Sequence, residues 1–467
     1  MSFPFPRLAL CLVPVPALLC ACDGLTRAAA VPVHYVSHQL CSAAFVGGLE
    51  PDQFYRESIE PEIAPADTFI DYRVDRAKAE VTASMKGVVT SRASWLGAQG
   101  CQIQHQGVAP RVAAGGNARG PSLLPPIAGS SVVTPADPRL AAALDRAFAE
   151  NRQAPYRRTK AVIVVHDGRV VAERYAPGYG IDTPQMGWSM TKSVVNALIG
   201  VLVRHGRLSI TDPAPVAAWS DARDPRHGIT VEQLMRMTSG LEIGDSMTAT
   251  WTTAFDPSAQ MVYDMPDMAA FAERARLGAA PGSRFAYANG NTLLLSRIIR
   301  DKVGGDAGSV LRFAHRELFD KLGMTGVTLE LDAAGTPIGS SHMWATARDW
   351  ARFGLLYLND GVVGGQRILP EGWVDYSARM TAGSEIYGYG AGFWTNRGSG
   401  SGAAYHIKAG LPADAFMARG IHGQYVIVVP SAKLVVVRMG PAYTPRDDME
   451  VVARLVGDAI AALQAPE

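Results

Sequence analysis

The 467-residue chain has almost no excess of charge, because 44 basic residues face 43 acidic ones. Without a field of one sign, it has no general attraction for nucleic acid or for an acidic partner. Metal-binding patterns are also missing. No His-Glu-x-x-His or paired-cysteine motif occurs, and His342 has no ligand spacing around it. We therefore expect no nucleic acid, no partner protein, no metal and no organic cofactor.

Cysteines are few, and most of them lie at the start of the chain. Of the five, Cys11, Cys20 and Cys22 fall within the first 22 residues. Cys41 and Cys101 are the remaining two. In an oxidising compartment they would be a natural disulfide pair, and two separately buried thiols are the alternative.

The first 22 residues have the features of an export signal. Residues 1–7 carry one positive charge, and residues 8–19 form an apolar run too short to span a bilayer. A box of small residues then ends at Cys22, as in bacterial lipoproteins. We expect an exported protein, periplasmic or anchored to the membrane by a lipid on Cys22. The alternative is ordinary cleavage near residues 28–30, which would leave a secreted protein.

Composition divides the remainder of the chain. Residues 111–131 are dominated by glycine, proline and serine without periodicity, which predicts a linker. Residues 23–110 precede it and contain short alternating runs at 69–75 and 79–84, typical of strands. We expect a small β-rich N-terminal domain there, and a second, larger domain over residues 132–467.

The larger region has an α+β pattern. A helix is predicted over 134–151, followed by a hairpin over 161–175 with an Asp-Gly turn. Helical segments fill the middle. A second hairpin of buried strands, 423–430 with 434–439, precedes a last amphipathic helix at 447–463. This order predicts one antiparallel sheet built from both ends of the region and flanked by helices.

The strongest chemical signal is Ser189-Met190-Thr191-Lys192, which leads into an apolar run at helical spacing. Serine and lysine three residues apart share one helix face. A buried lysine loses its proton more readily and can act as the base that a serine hydroxyl needs. Of the eight lysines in the chain, only Lys192 has a serine three positions earlier. The alternative is a helix cap followed by a chance lysine.

A second signal is Tyr287-Ala288-Asn289, on a loop that leads into an apolar helix. A phenol close to a lysine could pass a proton to a leaving group. The alternative is a buried tyrosine with a satisfied hydroxyl. The same pattern recurs at Tyr357-Leu358-Asn359, but that copy lies in a helical run and is predicted to belong to the core.

These motifs resemble the serine β-lactamase and penicillin-binding-protein superfamily, in its class C β-lactamase-like branch of esterases and 6-aminohexanoate-dimer hydrolases. The resemblance extends over residues 134–463, including stretches at 229–241, 346–361 and 368–374. It implies a β-lactamase/transpeptidase-like fold: an antiparallel sheet flanked by helices, plus an all-helical subdomain. The Cys41 and Cys101 region resembles an extension found in some hydrolases of this branch.

One family motif is missing. The matching strand, predicted at 415–425, contains no Lys-Thr-Gly, and Lys408-Ala409-Gly410 is followed by a proline that would break a central strand. In the family this lysine helps to hold the substrate carboxylate. Its absence favours an ester or linear amide over a β-lactam or peptide substrate. His422 is expected to be either a polar substitute at the site or a structural histidine.

The resemblance implies acyl transfer to Ser189, with Lys192 and Tyr287 sharing the proton work. Asn289 would orient Lys192 or the substrate, and Trp188 would line the site. The backbone N–H groups of Ser189 and Ala418 would form the oxyanion hole. Three other functions remain open: an α/β-hydrolase, a β-lactamase or DD-peptidase, and a non-catalytic envelope binding lipoprotein.

Overall fold

The computed structural model describes residues 15–109, 111–112, 119–244 and 253–464, with side chains from residue 29 onward. Residues 1–14 of the predicted signal peptide, and the side chain of Cys22, lie outside this part. The export and lipidation hypotheses therefore stay predictions. Among the described residues, no helix combines the length and the apolar character needed to cross a bilayer.

The N-terminal region contains the expected sheet, but it opens with a long helix that the sequence analysis did not predict. Its helices are α1 (Val15–Phe45), α2 (Pro51–Phe54) and α3 (Glu60–Ile63). Its strands are β1 (Ile70–Asp75), β2 (Glu80–Met85), β3 (Val89–Trp95) and β4 (Cys101–Ile103), paired antiparallel in that order. A disulfide joins Cys41 in α1 to Cys101 in β4, so it ties the helix to the edge of the sheet.

Loss of this disulfide is expected to destabilise the protein. The bond spans 60 residues, and releasing a loop of that size typically lowers the free energy of unfolding by about 2–5 kcal/mol. The measurement is urea unfolding of a Cys41→Ser/Cys101→Ser double variant beside the oxidised wild type. Wild-type protein under reducing conditions is the control and should unfold like the variant. Equal midpoints for variant and oxidised wild type would contradict the expectation.

The larger region alternates helices and strands in the predicted α+β manner. Its helices are α4 (Pro138–Phe148), α5 (Thr191–Arg204), α6 (Val231–Met235), α7 (Pro257–Asp264), α8 (Met268–Glu273), α9 (Asn289–Lys302), α10 (Ala307–Ala314), α11 (Asp320–Leu322), α12 (Ala347–Leu358), α13 (Trp373–Ala378), α14 (Ser401–Ala409) and α15 (Met449–Gln464). Its strands are β5 (Ala161–His166), β6 (Arg169–Tyr175), β7 (Gln185–Met186), β8 (Thr328–Leu329), β9 (Met343–Ala345), β10 (Val362–Val363), β11 (Gln366–Arg367), β12 (Trp394–Thr395), β13 (Phe416–Gly420), β14 (Gln424–Val429) and β15 (Leu434–Met439).

The main sheet has six antiparallel strands in the order β12-β13-β14-β15-β5-β6. Both predicted hairpins are present, and β15 pairs with β5, which brings the two ends of the region together. The prediction of one sheet built from both ends is therefore confirmed. A second, small sheet has the strand order β7-β9-β8, and its strand β7 directly precedes the Ser189 segment in the chain.

Helices cover both faces of the main sheet because its strand residues alternate between two cores. On one face, Val162, Val164 and Ile427 pack with α4 and α15. On the other, residues such as Val426 and Val435 join the larger core, where α12 packs. Tyr357 of α12 lies in this core, as predicted, and its hydroxyl donates to the side chain of Asn196.

The N-terminal region packs into the larger core. Buried side chains of α1 belong to the same apolar cluster as Trp188 and Trp344. The described end of the predicted linker also lies against the larger region, since Ile127 is buried and the backbone N–H of Leu123 donates to Lys321. The boundaries predicted for the domains are not tested by these contacts.

Candidate active site

Ser189 lies in a tight turn, Trp188–Met190, directly before α5. The turn is fixed on both sides: the N–H of Gly187 donates to the carbonyl of Met343 in β9, and the Thr191 hydroxyl donates to the carbonyl of Trp188. Trp188 has a φ of +48°, an unusual value for a residue other than glycine. Ser189 is thus held at the N-terminal end of a buried helix.

Lys192 contacts Ser189 from the first turn of that helix. Its Nζ lies 3.0 Å from Ser189 Oγ, 2.8 Å from Asn289 Oδ1 and 2.8 Å from the carbonyl oxygen of Ser340. The side chain is buried, and burial lowers its pKa from 10.5 to about 7. A substantial fraction of the amine is therefore neutral at pH 7, within reach of the serine hydroxyl.

Tyr287 and Asn289 approach from the start of α9. The side chain of Tyr287 lies close enough to Ser189 for the two to interact, and its ring centre lies 4.9 Å from Lys192 Nζ. Burial raises the pKa of Tyr287 to about 12, so the phenol keeps its proton at neutral pH. Asn289 is held in turn by Ser258, which accepts a hydrogen bond of 2.9 Å from its amide. The structure therefore brings all four predicted polar residues together.

Gly187 is a position where a side chain should disturb this site. An added Cβ would overlap the indole of the fully buried Trp350. We expect Gly187→Ala to cost about 1–3 kcal/mol of stability through overpacking and to displace the adjacent serine. Thermal unfolding and ester turnover of the variant would measure both effects. Gly180→Ala is the matched control, because no atom lies within 4 Å of its added Cβ. Equal behaviour of the two variants would refute the expectation.

Strand β13 runs beside the nucleophile turn. Its pairing with β12 ends at Met417, and farther along the strand a Cβ on Gly420 would lie 2.9 Å from that of Trp188. Ala418 is located between these two points, on the stretch of β13 that passes the turn. An oxyanion hole formed by the N–H groups of Ser189 and Ala418 stays a prediction.

The position of His422 corrects one expectation. The segment predicted as one strand at 415–425 is a hairpin, because Gly423, with a φ of +79°, and His422, with +59°, reverse the chain between β13 and β14. His422 Nε2 lies 3.3 Å from Glu62 Oε2 of α3, and its ring packs against Trp188. Within the described residues, no contact joins it to Ser189, so the structural alternative fits better. Lys408-Ala409-Gly410 ends helix α14 and is no strand.

Two groups near the site were missed by the sequence analysis. The carbonyl of Ser340 holds Lys192, but a backbone acceptor leaves no mark in residue identity. Arg419 in β13 carries a positive charge close enough to lower the pKa of Tyr287 against the effect of burial. Arg419 could have been found from the sequence, because it lies on the strand that was expected to line the site.

The N-terminal helix supports the segment that holds Lys192. Gln39 of α1 contacts His342 Nε2 at 3.3 Å, and His342 Nδ1 is 2.6 Å from the hydroxyl of Ser341. Ser341 directly follows the carbonyl that accepts from Lys192. The environment of the amine therefore includes contacts that originate outside the larger region.

Known proteins resemble this chain in sequence and fold. The model of the Beta-lactamase family matches residues 144–460. A 6-aminohexanoate-dimer hydrolase from Paenarthrobacter ureafaciens is 27% identical over 297 residues, which cover 60% of this chain and 72% of that protein. A Bacillus anthracis structure provisionally described as a 6-aminohexanoate-dimer hydrolase is 25% identical with a TM-score of 0.56, covering 75% of this chain and 89% of the other. A penicillin-binding-protein homologue from Caulobacter crescentus shares the fold, at 19% identity and a TM-score of 0.53 over 71% and 99% of the two chains.

Fold and site together define a serine hydrolase with an antiparallel sheet flanked by helices. Since the family match spans more than half of its length, the chain belongs to the Beta-lactamase family. The fold class expected from the sequence is thereby confirmed. The antiparallel main sheet excludes the α/β-hydrolase alternative.

Proposed function

We propose that this protein hydrolyses an ester or a linear amide through an acyl-enzyme on Ser189. The observation that carries the proposal is the buried amine of Lys192, 3.0 Å from Ser189 Oγ, with a pKa of about 7. A neutral amine at this place can accept the serine proton as the oxygen attacks. The similarity to 6-aminohexanoate-dimer hydrolases adds support for a linear amide.

The first half of the reaction forms an ester on Ser189. Its Oγ bonds to the substrate carbonyl carbon while its proton passes to Lys192, and the carbonyl oxygen becomes an oxyanion. The N–H groups of Ser189 and Ala418 would stabilise that charge. When the bond to the leaving group breaks, the leaving oxygen or nitrogen takes a proton from Tyr287. Lys192 then returns a proton to Tyr287, which restores the phenol.

The second half releases the acyl group. Water attacks the carbonyl carbon of the Ser189 ester and gives a proton to the neutral amine of Lys192. As the tetrahedral intermediate collapses, Ser189 Oγ leaves and recovers its proton. The products are a carboxylic acid and free enzyme. Asn289 keeps the Lys192 amine directed at Ser189 throughout, because it accepts one of the amine's hydrogen bonds.

The test is hydrolysis of short-chain p-nitrophenyl esters by the wild type and by Ser189→Ala. We expect turnover that is lost in the variant, and fluorophosphonate labelling of the wild type at Ser189. The absence of both in the wild type would overturn the proposal and favour the non-catalytic binding lipoprotein. Rapid turnover of nitrocefin would instead identify a β-lactamase, for which β13 supplies no Lys-Thr-Gly.

We also propose export to the bacterial envelope. The Cys41–Cys101 disulfide supports an oxidising compartment. Fractionation of cells that express the wild type and Cys22→Ser would test lipid attachment. Retention of only the wild type in the membrane fraction is expected, and equal partition of the two proteins would argue for simple secretion.

A further inference from the structure

A pocket of about 510 Å³ lies beside the proposed proton donor. Its walls include Trp394 and Tyr405, and the ring of Tyr287 packs 5.7 Å from that of Trp394. Tyr287 also interacts with Ser189, so Tyr287 and Trp394 connect the nucleophile to this pocket. A volume of this size can hold a small organic group. We call it the Trp394 pocket.

Two arginines reach the Trp394 pocket. Arg419 lies 5.0 Å from the ring of Trp394, but one of its nitrogens is bound to Asp447 at 2.9 Å. Arg446 is exposed and stacks 4.1 Å above the ring of Tyr405. No carboxylate of the described residues lies within ion-pair distance of Arg446. A planar guanidinium that is held on an aromatic ring and has no ion-pair partner among the described residues is well suited to a carboxylate.

The other ionisable groups at the pocket do not pair with Arg446. His406 faces it, and burial lowers the pKa of this histidine to about 4, so the ring is neutral at neutral pH. The carboxylate of Glu450 is 3.5 Å from the hydroxyl of Tyr405, and that of Asp447 is occupied by Arg419. The charge of Arg446 is therefore available to a ligand.

We propose that the Trp394 pocket binds the leaving group of the substrate and that Arg446 selects leaving groups bearing a carboxylate. This inference rests on the proposed function, because Tyr287 would protonate the leaving group from the side of the pocket. The substrate is then an acylated alcohol or amine with an anionic end and an apolar or aromatic spacer. Arg446, on the loop after β15, does not occupy the strand where the family's lysine is expected.

Two matched esters test the selection. Cleavage of 4-acetoxybenzoate leaves the acetyl group on Ser189, and the phenol oxygen departs with a proton as 4-hydroxybenzoate. Methyl 4-acetoxybenzoate reacts identically but without the carboxylate. We expect the ratio of kcat/KM for the acid to that for the methyl ester to fall about tenfold in Arg446→Gln, the usual effect of losing a charge-assisted hydrogen bond. Arg223→Gln, an exposed arginine outside the site, should keep the wild-type ratio.

A binding measurement separates this proposal from the proposed function. Calorimetric titration of Ser189→Ala with 4-hydroxybenzoate should show about tenfold weaker binding when Arg446→Gln is added. Binding of 4-hydroxybenzoate that depends on Arg446, together with no ester turnover by the wild type, would uphold the pocket and reject the hydrolase mechanism. Ester turnover with an unchanged ratio in Arg446→Gln would uphold the hydrolase and overturn the pocket. Because Arg446 is exposed, the variant should fold, and Arg446→Lys should recover part of the lost preference.

Discussion

Replacement of Lys192 by methionine is expected to lower kcat/KM for a p-nitrophenyl ester by about 10²- to 10⁴-fold, the usual contribution of a general base. Methionine has nearly the same length but cannot take the proton of Ser189. It also leaves Asn289 and the carbonyl of Ser340 without their shared donor, so both the base and its alignment are lost. Steady-state kinetics at a pH near 8 would measure the loss.

The matched control is Lys160→Met, which removes another buried lysine. Lys160 lies 2.6 Å from Glu57 and contacts none of the proposed catalytic groups within the described residues. Its loss should lower stability through the broken ion pair while kcat/KM stays near the wild-type value. A Lys192→Met enzyme that kept more than about a tenth of wild-type activity would contradict the role of Lys192 as base.

The same variant has a thermodynamic signature that does not depend on catalysis. In the folded chain the pKa of Lys192 is about 7, against 10.5 in the unfolded chain. Between these values the unfolded chain holds a proton that the folded chain lacks, so stability rises with pH. The free energy of unfolding of the wild type, relative to Lys192→Met, should therefore increase from about pH 7 to pH 10. A constant difference would show that the amine is not desolvated.

The sequence predicted the parts of the site that depend on local order. Ser189 and Lys192 are three residues apart before an apolar run, so their contact follows from helix geometry alone. Tyr287 and Asn289 were singled out as a loop motif and matched to the site through family resemblance, and the contact of Asn289 with Lys192 joins positions 97 residues apart. The main sheet was also predictable from local order, because each of its two predicted hairpins consists of two apolar runs joined by a turn.

The groups that were missed depend on long-range packing. No pattern in the chain places the carbonyl of Ser340 beside Lys192, since that contact requires the whole core to be assembled. Helix α1 was not predicted because its first eight residues were interpreted as part of a signal segment. His422 was misplaced because two buried strands and a short turn produce nearly the same apolar run as one longer strand.

The activity of the wild type is expected to rise with pH through a midpoint of about pH 7. Only neutral Lys192 can accept the serine proton, and burial brings its pKa to about 7. Below the midpoint kcat/KM should fall about tenfold per pH unit, so two units of acidification cost about a hundredfold. Tyr287, whose pKa is about 12, stays protonated across this range, and the charge of Arg419 beside it does not change.

Two buried carboxyl groups have a pKa close to that of Lys192, and variants distinguish their titration from that of the amine. Burial raises the pKa of Glu62 and that of Asp332 to about 7 in each case. Neither contacts Ser189, so Glu62→Gln and Asp332→Asn should retain the midpoint of the wild-type profile even where they change stability. A midpoint that disappeared in Glu62→Gln would instead assign the pH dependence to the contact between Glu62 and His422 behind Trp188. A flat wild-type profile would mean that the amine of Lys192 does not titrate during turnover.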